Sequence, residues 1–562
     1  MEYEKICKAY EALSLTSKGL EKTKILAEFL DGIGENPEYI YLFQGRVFPD
    51  YDPRELGVST QILIKAISKS SGHSEYNIIS KLKEEGDLGL AVFELFETKK
   101  QQGLFTKKLT VDMVLSNLKK IPDLEGKGTV QTKVDLIVDL LHSASAIESK
   151  YIARTVMGDL KVGVGSGIIR DSIVESCFSP KTQEEKKKFA EEVQTAYNKA
   201  TDFAIVLQKA RKNKLSDIEL SVGRPVRVML YPKAKGSADA FRIVGKPATF
   251  EYKYDGFRMM INKDEEGHVK LFTRRLEDVS HQFPDLVKFV EDNVNAKSFI
   301  IDSEAVGYDP KTNTYKEFQA ISQRIKRKYE IEKLIKELPV GLRVFDIIYL
   351  EGESLINKGY QERRTILENV VHEDDWKIEL AKQITTDNED EAEEFFKKAI
   401  DEGQEGLMVK GLDKIYKPGA RIGYGVKWKP EDNDFDLVIT GAEWGTGKRA
   451  GTLTSFDVAC QDESGELLDI GKVSGGLKEK EEEGLSYGEM TEMLTPEIIS
   501  EEGRHIKVKP LLVVTVQYQN IQKSPSYSSG YALRFPRITR LRPDRTAEDV
   551  ATIGEVEKEV IV

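Results

Sequence analysis

Residues Glu251 to Arg258 read EYKYDGFR and place Lys253 among a glutamate, an aspartate, a glycine and an arginine. A lysine amine is a nucleophile only when deprotonated. Its ordinary pKa of about 10.4 leaves almost none of it neutral at pH 7, so a reactive lysine needs desolvation or neighbouring cations. Arg258 offers such a cation, or a fork able to hold a phosphate. Gly256 lets the backbone come close to a ligand or take a conformation closed to other residues. The same eight residues also suit a charged strand end followed by a turn, and the stretch alone leaves both readings open.

The 562 residues are too many for one hydrophobic core and point to roughly three or four domains. An apolar fraction of 40% is adequate for folded domains. No apolar run approaches the ~18 residues that span a bilayer, and the opening MEYEKICKAYEAL is too polar for a signal peptide. A protein without membrane association, in the cytoplasm, is expected. Cys7, Cys177 and Cys460 are too scattered for a disulfide framework or a CxxC zinc pair. The net charge of −12 argues against a uniformly basic nucleic-acid binder but leaves room for a local patch.

From the N-terminus to about Leu220 the periodicity is helical. Leu26, Phe29, Leu30 and Ile33 form one apolar stripe, and Val134, Ile137, Val138 and Leu141 form another. An all-α domain is expected over residues 1–220. Within it, IARTVMGDLKVGVGSGIIRDSI carries Arg154 and Lys161 beside turns at Gly158, Gly163, Gly165 and Gly167. Backbone amides at such turns can bind phosphates, and a plain helix connection is the alternative. No Walker A pattern occurs. LSVGRPVRVMLYPKAKG, residues 220–236, reads as a linker. An α+β domain is expected over 231–430, with MMIN and HVKLFTRR as a hairpin and FIIDSEAVGYD, LRVFDIIYL and EGLMVKG as strands. HEDDWKIELAK and DNEDEAEEFFKKA read as solvated helix faces between them. Over 431–562, about five short strands and one helix near Tyr487 to Leu494 suit a small closed β-barrel of the OB type.

The order of the motifs is more specific than any one of them. Lys253-x-Asp255-Gly256 precedes Arg274 in FTRR, Asp302 and Glu304 in IDSEAV, Phe345 in RVFDIIYL, Glu405, Gly406 and Lys410 in EGLMVK, and Lys427 and Lys429 in VKWKP. At this point the chain resembles the lysine nucleotidyltransferase superfamily of ATP-dependent DNA ligases, RNA ligases and mRNA capping enzymes. It resembles the archaeal and eukaryotic replicative DNA ligases best, over nearly its whole length. The resemblance implies that the α+β domain is an adenylation domain in which Lys253 takes AMP from ATP as a phosphoramidate. It places Arg258, Arg274, Arg421 and Lys427 near the nucleotide, Glu251 and Glu304 against adenine or ribose, and Phe345 stacked on the base. Glu304 and Glu405 are hard oxygen donors suited to Mg²⁺, with Mn²⁺ as an alternative. Alone, each acid also suits an exposed strand end, and Phe345 a core aromatic.

Two further regions look like the DNA-facing parts of these ligases. EFQAISQRIKRKY, residues 317–329, with Arg324, resembles the segment that lies against the nicked strand. EWGTGKRAGTLTSF, with Lys448 and Arg449, and LRFPRITRLRPDR, with Arg537, Arg540 and Arg542, resemble barrel segments. Each phosphate contact would add salt dependence to binding. The chain departs from the family at Arg545, where lysine is usual, at Val228, where proline is usual, and at Gly425, where tryptophan is usual; the last two changes are expected to be tolerated. The implied function is a monomeric ligase that seals 5′-phosphate, 3′-hydroxyl nicks in duplex DNA during replication, repair and recombination, with a sliding clamp as a partner. An RNA ligase, a capping guanylyltransferase and a non-catalytic clamp on DNA ends are the rivals.

Overall fold

The structure, a computed structural model, describes residues 1–34, 36–98, 108–124, 128–316, 324–325, 330–420, 422–430, 433–462, 465–479 and 485–560. The side chain of Lys448 also lies outside the description. The chain divides into two compact units, Met1–Lys429 and Pro430–Val562. No helix among the described residues is long and apolar enough to cross a membrane.

The first unit opens with helices that pair through their apolar stripes. Gly19–Gly32 lies on Ser166–Phe178, Thr60–Ser71 on Thr129–Ser143, and Leu88–Glu97 on Ala146–Val156. Leu26, Leu30, Ile33, Val134, Ile137 and Leu141 all enter one core. The ends are set by side-chain caps: Ser145 with Glu148, and Thr182 with Glu185, each form a reciprocal capping box.

Twelve strands follow among the described residues: β1 Lys233–Ala234, β2 Ala248–Tyr252, β3 Phe257–Lys263, β4 Val269–Thr273, β5 Phe299–Asp309, β6 Thr314–Lys316, β7 Val340–Leu350, β8 Glu353–Ser354, β9 Ile378–Leu380, β10 Gln383–Thr386, β11 Leu407–Gly411 and β12 Gly425–Trp428. They make two sheets. One has the order β1-β12-β11-β2-β10; the other runs β4-β3-β5-β7-β8, with β6 on β5 and β9 on β7. Phe241, Phe250, Phe396 and Trp428 pack between the first sheet and helices Ser237–Val244 and Glu389–Asp401. Leu286, Val290 and Leu367, from helices Pro284–Asn293 and Tyr360–Val370, share a core with the second sheet. The acidic stretch ending DNEDEAEEFFKKA is indeed a helix, but HEDDWKIELAK is not. Its Ile378 is buried where β9 pairs in parallel with β7, Leu342 opposite Ile378, so pairing overrides helix propensity.

Residues 220–232 are irregular but not loose. Val226, Val228 and Met229 are buried in a small core with Met260, Phe272, Ile300 and Tyr416. The Leu230 amide donates to the Ala420 carbonyl at 2.9 Å, and the Lys427 amide to that of Pro232 at 2.9 Å. This segment is a strap across the end of the two sheets. It also explains Gly425: a Cβ there would lie 2.7 Å from the Tyr231 ring and 2.9 Å from the Val409 carbonyl. In this chain Tyr231 fills the space at Gly425.

The second unit holds strands β13 Asn433–Trp444, β14 Leu453–Gln461, β15 Leu467–Val473, β16 Ile498–Glu502, β17 His505–Val508, β18 Val513–Tyr518, β19 Asn520–Lys523, β20 Tyr531–Arg534 and β21 Arg537–Leu541. That is more than the five expected. The helix Tyr487–Leu494 stands where the sequence pattern put it. The main sheet is ordered β15-β14-β13-β17-β16, and β13 also pairs with β18, which pairs with β21. The sheet curls: past β15, Gly475 bridges Arg537 of β21, and the Ile538 amide donates to the Gly475 carbonyl at 2.9 Å.

Two outcomes follow. Gly425→Trp should lower the denaturant midpoint of the first unit by a loss of about 1–3 kcal/mol, the range for overpacking a core; an unchanged midpoint would show that Tyr231 moves aside freely. In the helical region Asp87 receives both Arg154, at 3.2 Å, and Lys161, at 2.9 Å. Burial raises the Asp87 carboxyl, but Lys161, the Leu90 amide and Arg154 outweigh it and hold it below the ordinary value. Its contribution to stability is therefore present above its unfolded pKa and fades as pH falls through the lowered folded value. Asp87→Ala should cost about 3–5 kcal/mol in urea unfolding at neutral pH, because Arg154 is left buried without its partner.

Candidate active site

The end of β2 sets the geometry. Beyond Tyr252, the Lys253 amide donates to the Gly406 carbonyl and the Glu405 amide to the Lys253 carbonyl, both at 2.9 Å. These bonds carry the β2–β11 pairing one step further and put Lys253 beside Glu405. Gly406 is obligatory in that exchange, since its φ is +131° and a Cβ would lie 2.2 Å from the Trp428 carbonyl. The Lys253 Nζ reaches Glu405 Oε2 at 2.9 Å, and Lys429 Nζ meets the same oxygen from the end of β12. Burial pushes the Glu405 carboxyl up, but Lys253 and Lys429 outweigh it and hold it down at about 2.

The second sheet supplies the opposite wall. Arg258, Glu304 and Arg343 stand in one cross-strand row on β3, β5 and β7. Arg258 forks onto Asp302, with Nε to Oδ1 at 2.7 Å and Nη2 on Oδ2, and Tyr416 donates its hydroxyl to Asp302 Oδ2 at 3.2 Å. Burial pulls the guanidinium down, but Asp302 outweighs it and leaves Arg258 above the usual arginine value. Glu304 is half-buried with no cation within ion-pair distance among the described residues. Burial, opposed by Lys253 and Arg258 and aided by Glu405 and Asp302, pushes its carboxyl up to about 8.

The floor is built on Glu251 and Phe345. Glu251 is buried on β2, its two oxygens taken by Lys410 Nζ at 2.7 Å and the Tyr360 hydroxyl at 2.9 Å. Phe345 is half-buried, with Lys410 Nζ 4.8 Å and the Arg258 guanidinium carbon 5.4 Å from its ring centroid. Lys427 shares a cross-strand row with Met408 and Glu251. Lys253, Glu251, Arg258, Glu304, Phe345, Glu405 and Lys427 are thus gathered between the two sheets. Arg274 is exposed on the turn after β4, and Arg421 lies outside the described residues.

Other expected residues stand apart from this cleft. Arg154 is 8% exposed and spent on Asp87. Arg324 is 1% exposed, forked onto Asp285 at 2.7 and 2.9 Å and lying 4.6 Å from the centroid of the Phe283 ring. Neither placement fits the expectation of a phosphate contact at the surface. Most of 317–329 lies outside the described residues. Lys161 is accessible but paired with Asp87, and Arg449 is accessible, paired with Glu479 and 4.5 Å from the Tyr487 ring centroid. Gly256 makes room for protein: a Cβ there would lie 2.4 Å from the Ala305 carbonyl of β5. The sequence reading overlooked Tyr360 and Tyr416, which hold Glu251 and Asp302 respectively. Only tertiary proximity reveals them, since their local sequence carries no signal.

Three family patterns match the chain: DNA ligase N terminus over residues 2–174, ATP dependent DNA ligase domain over 228–429, and ATP dependent DNA ligase C terminal region over 449–545. A DNA ligase of Nanoarchaeum equitans is 44% identical over 566 residues, covering 99% of this chain and 98% of that protein. A DNA ligase of Thermococcus fumicolans is 40% identical, covering 99% and 98%. A solved structure titled Pmar-Lig_PreS3 aligns with a TM-score of 0.53 at 17% identity over 95% of this chain and 99% of its own, a likeness of fold. With Lys253 seated between the two sheets and relatives that match it from end to end, the chain belongs to the ATP-dependent DNA ligases.

Proposed function

We propose that Lys253 is the nucleophile of an ATP-dependent DNA ligase, and that the cleft between the two sheets is its ATP site. The observation that carries this is the pairing of Lys253 with Glu405 and Lys429 in a half-buried cleft walled by Arg258, Glu304 and Phe345. In the first step the neutral Lys253 Nζ attacks the α-phosphorus of ATP. A P–N bond forms, the bond to the bridging oxygen breaks, and pyrophosphate leaves. The 5′-phosphate of a nick then attacks the lysyl-AMP, freeing Lys253 and forming a pyrophosphate link to AMP. In the third step the 3′-hydroxyl attacks that phosphate, the phosphodiester closes and AMP departs.

The residues divide the work. Glu405 holds the Lys253 amine in an ion pair, so nucleotide binding has to relieve that contact before attack. Lys427, Lys429 and the exposed Arg274 supply positive charge for the phosphates. Phe345 offers a ring face to adenine, and Glu251, fixed by Lys410 and Tyr360, borders it. The fork of Arg258 is occupied by Asp302, which suits a fixed wall better than a mobile clamp. Glu304 and Glu405 fit a divalent cation: both offer hard carboxylate oxygens to the cleft, and Glu304, pushed up to about 8 by burial above all, stands close enough to feel the other. Mg²⁺ held there would neutralise phosphate charge and ease the departure of pyrophosphate.

In the same reading residues 1–220 form the DNA-binding domain, 231–430 the adenylation domain and 431–562 an OB-type barrel; closure of the sheet through Gly475 supports the barrel. Nicked duplex DNA is the substrate, and Lys161 and Arg449 are the accessible candidates for phosphate contact.

Incubation with α-labelled ATP and Mg²⁺ should leave label on the denatured chain, and a chase with nicked DNA should remove it and seal the nick. Lys253→Ala should take no label, and chelation of the metal should stop labelling of the unsubstituted chain. Label from GTP alone, or on Lys253→Ala, would overturn the reading. Glu405→Gln should cut the single-turnover rate of labelling about 100-fold, in the range for loss of one electrostatic contact at a reacting centre; a rate within twofold would remove Glu405 from the site.

A further inference from the structure

The helical region meets the strap and the loop that back the Lys253 cleft at a junction that includes Asn198. Asn198 lies in the last turn of helix Gln183–Ala200 and is 8% exposed. Its Nδ2 donates to the Pro418 carbonyl at 2.8 Å, and its Oδ1 accepts from Gln194 Nε2 at 2.9 Å. Its own carbonyl accepts from the Arg227 amide at 3.0 Å, and the Arg227 carbonyl accepts from the Gly419 amide at 3.1 Å. Asn198 thus joins the helix end to both the strap and the loop 416–420, beside the direct bonds that strap and loop make to each other. The fit is close: a Cβ on Gly419 would lie 2.5 Å from Asn198 Nδ2, so the amide lies directly against that glycine.

The loop leads straight to the cleft. Two residues before Pro418, Tyr416 donates to Asp302 Oδ2 and sits 3.4 Å from Arg258 Nη2, and the Met229 amide of the strap donates to its hydroxyl at 3.4 Å. Tyr416 is 2% exposed and packed with Met229, Met260 and Ile300. The Asp302–Arg258 pair that forms one wall of the cleft is therefore held from behind by a loop whose other end is held by Asn198.

We propose that Asn198, from the helical region, is a positioning residue for the adenylation site. By holding the Pro418 carbonyl it keeps Tyr416 in register behind the Asp302–Arg258 pair. This rests on the reading of the Lys253 cleft as the ATP site. Losing the bond lowers the fraction of molecules whose cleft is competent to bind, which raises the apparent binding constant without changing the chemistry of the bound state. Nothing in this path touches the reacting atoms, so the rate at saturating ATP is preserved.

The test uses the full-length chain, label transfer from ATP to Lys253 as readout, and Asn198→Asp, which keeps the size and removes the donor. The KM for ATP should rise about tenfold, the scale of one lost hydrogen bond in a buried setting, with the saturating rate within twofold of the unsubstituted chain. Gly419→Ala, which presses on the same junction from the other side, should give the same split. Combining Asn198→Asp with Tyr416→Phe should raise KM little beyond the larger single effect, because both act on one element. If the substituted chains keep the thermal midpoint and the KM of the unsubstituted chain, or if the saturating rate falls with KM unmoved, the proposal fails. Multiplying effects in the double substitution would also overturn it. Failure of the unsubstituted chain to take label would refute the ATP-site reading instead, so the two failures are distinct.

Discussion

Glu405 takes two lysines on one carboxylate oxygen inside a half-closed cleft, and the architecture of the first unit follows from the need to hold that contact. A carboxylate kept ionised down to about pH 2 in such a place is poor evidence of stabilisation, because desolvating three charges costs as much as their attraction returns. What the contact supplies is placement. Lys253 arrives at the end of β2, Glu405 at the start of β11 and Lys429 at the end of β12, three neighbouring strands of one sheet. The two backbone bonds between Lys253 and residues 405–406 make the side-chain meeting a consequence of strand register.

The opposite wall follows a different electrostatic rule. Arg258, Asp302 and Tyr416 form a closed, satisfied group, while Glu304 on β5 has no ion-pair partner among the described residues and its carboxyl is pushed up to about 8, by burial above all. One sheet presents lysines on a shared carboxylate and the other an acid without an ion-pair partner among the described residues.

Much of this was legible from residue order. Lys253 follows β2, Glu405 precedes β11, and Glu304, Phe345 and Lys427 lie on the apolar strands β5, β7 and β12; the structure gathers all five between the two sheets. Reading failed where tertiary pairing decides. Arg154 and Arg324 look like surface cations in their local sequence, yet Asp87 lies 67 residues from one and Asp285 39 residues from the other, separations that no local pattern encodes. HEDDWKIELAK has the charge of a solvated helix face, but the edge of β7 offered Ile378 a buried partner. The glycines and prolines of 220–236 signalled a break in periodicity, and nothing in them revealed that Met229 and Tyr231 would be drawn into a core.

That last point changes how the domains of the first unit relate. A linker of Gly, Pro and basic residues would let a DNA-binding region and a catalytic region move independently. Here the connecting strap is itself part of the wall behind the cleft, with Tyr231 over Gly425, Met229 on Tyr416 and Arg227 under Asn198. A displacement of the helical region large enough to break the Asn198 junction must disturb the same loop that supports Asp302 and Arg258. A displacement of the helices is thereby transmitted to the Lys253 cleft through packed and hydrogen-bonded groups in continuous contact. The requirement is reciprocal: a nucleotide that tightens the cleft must favour one arrangement of the helical region over others, by the same free energy.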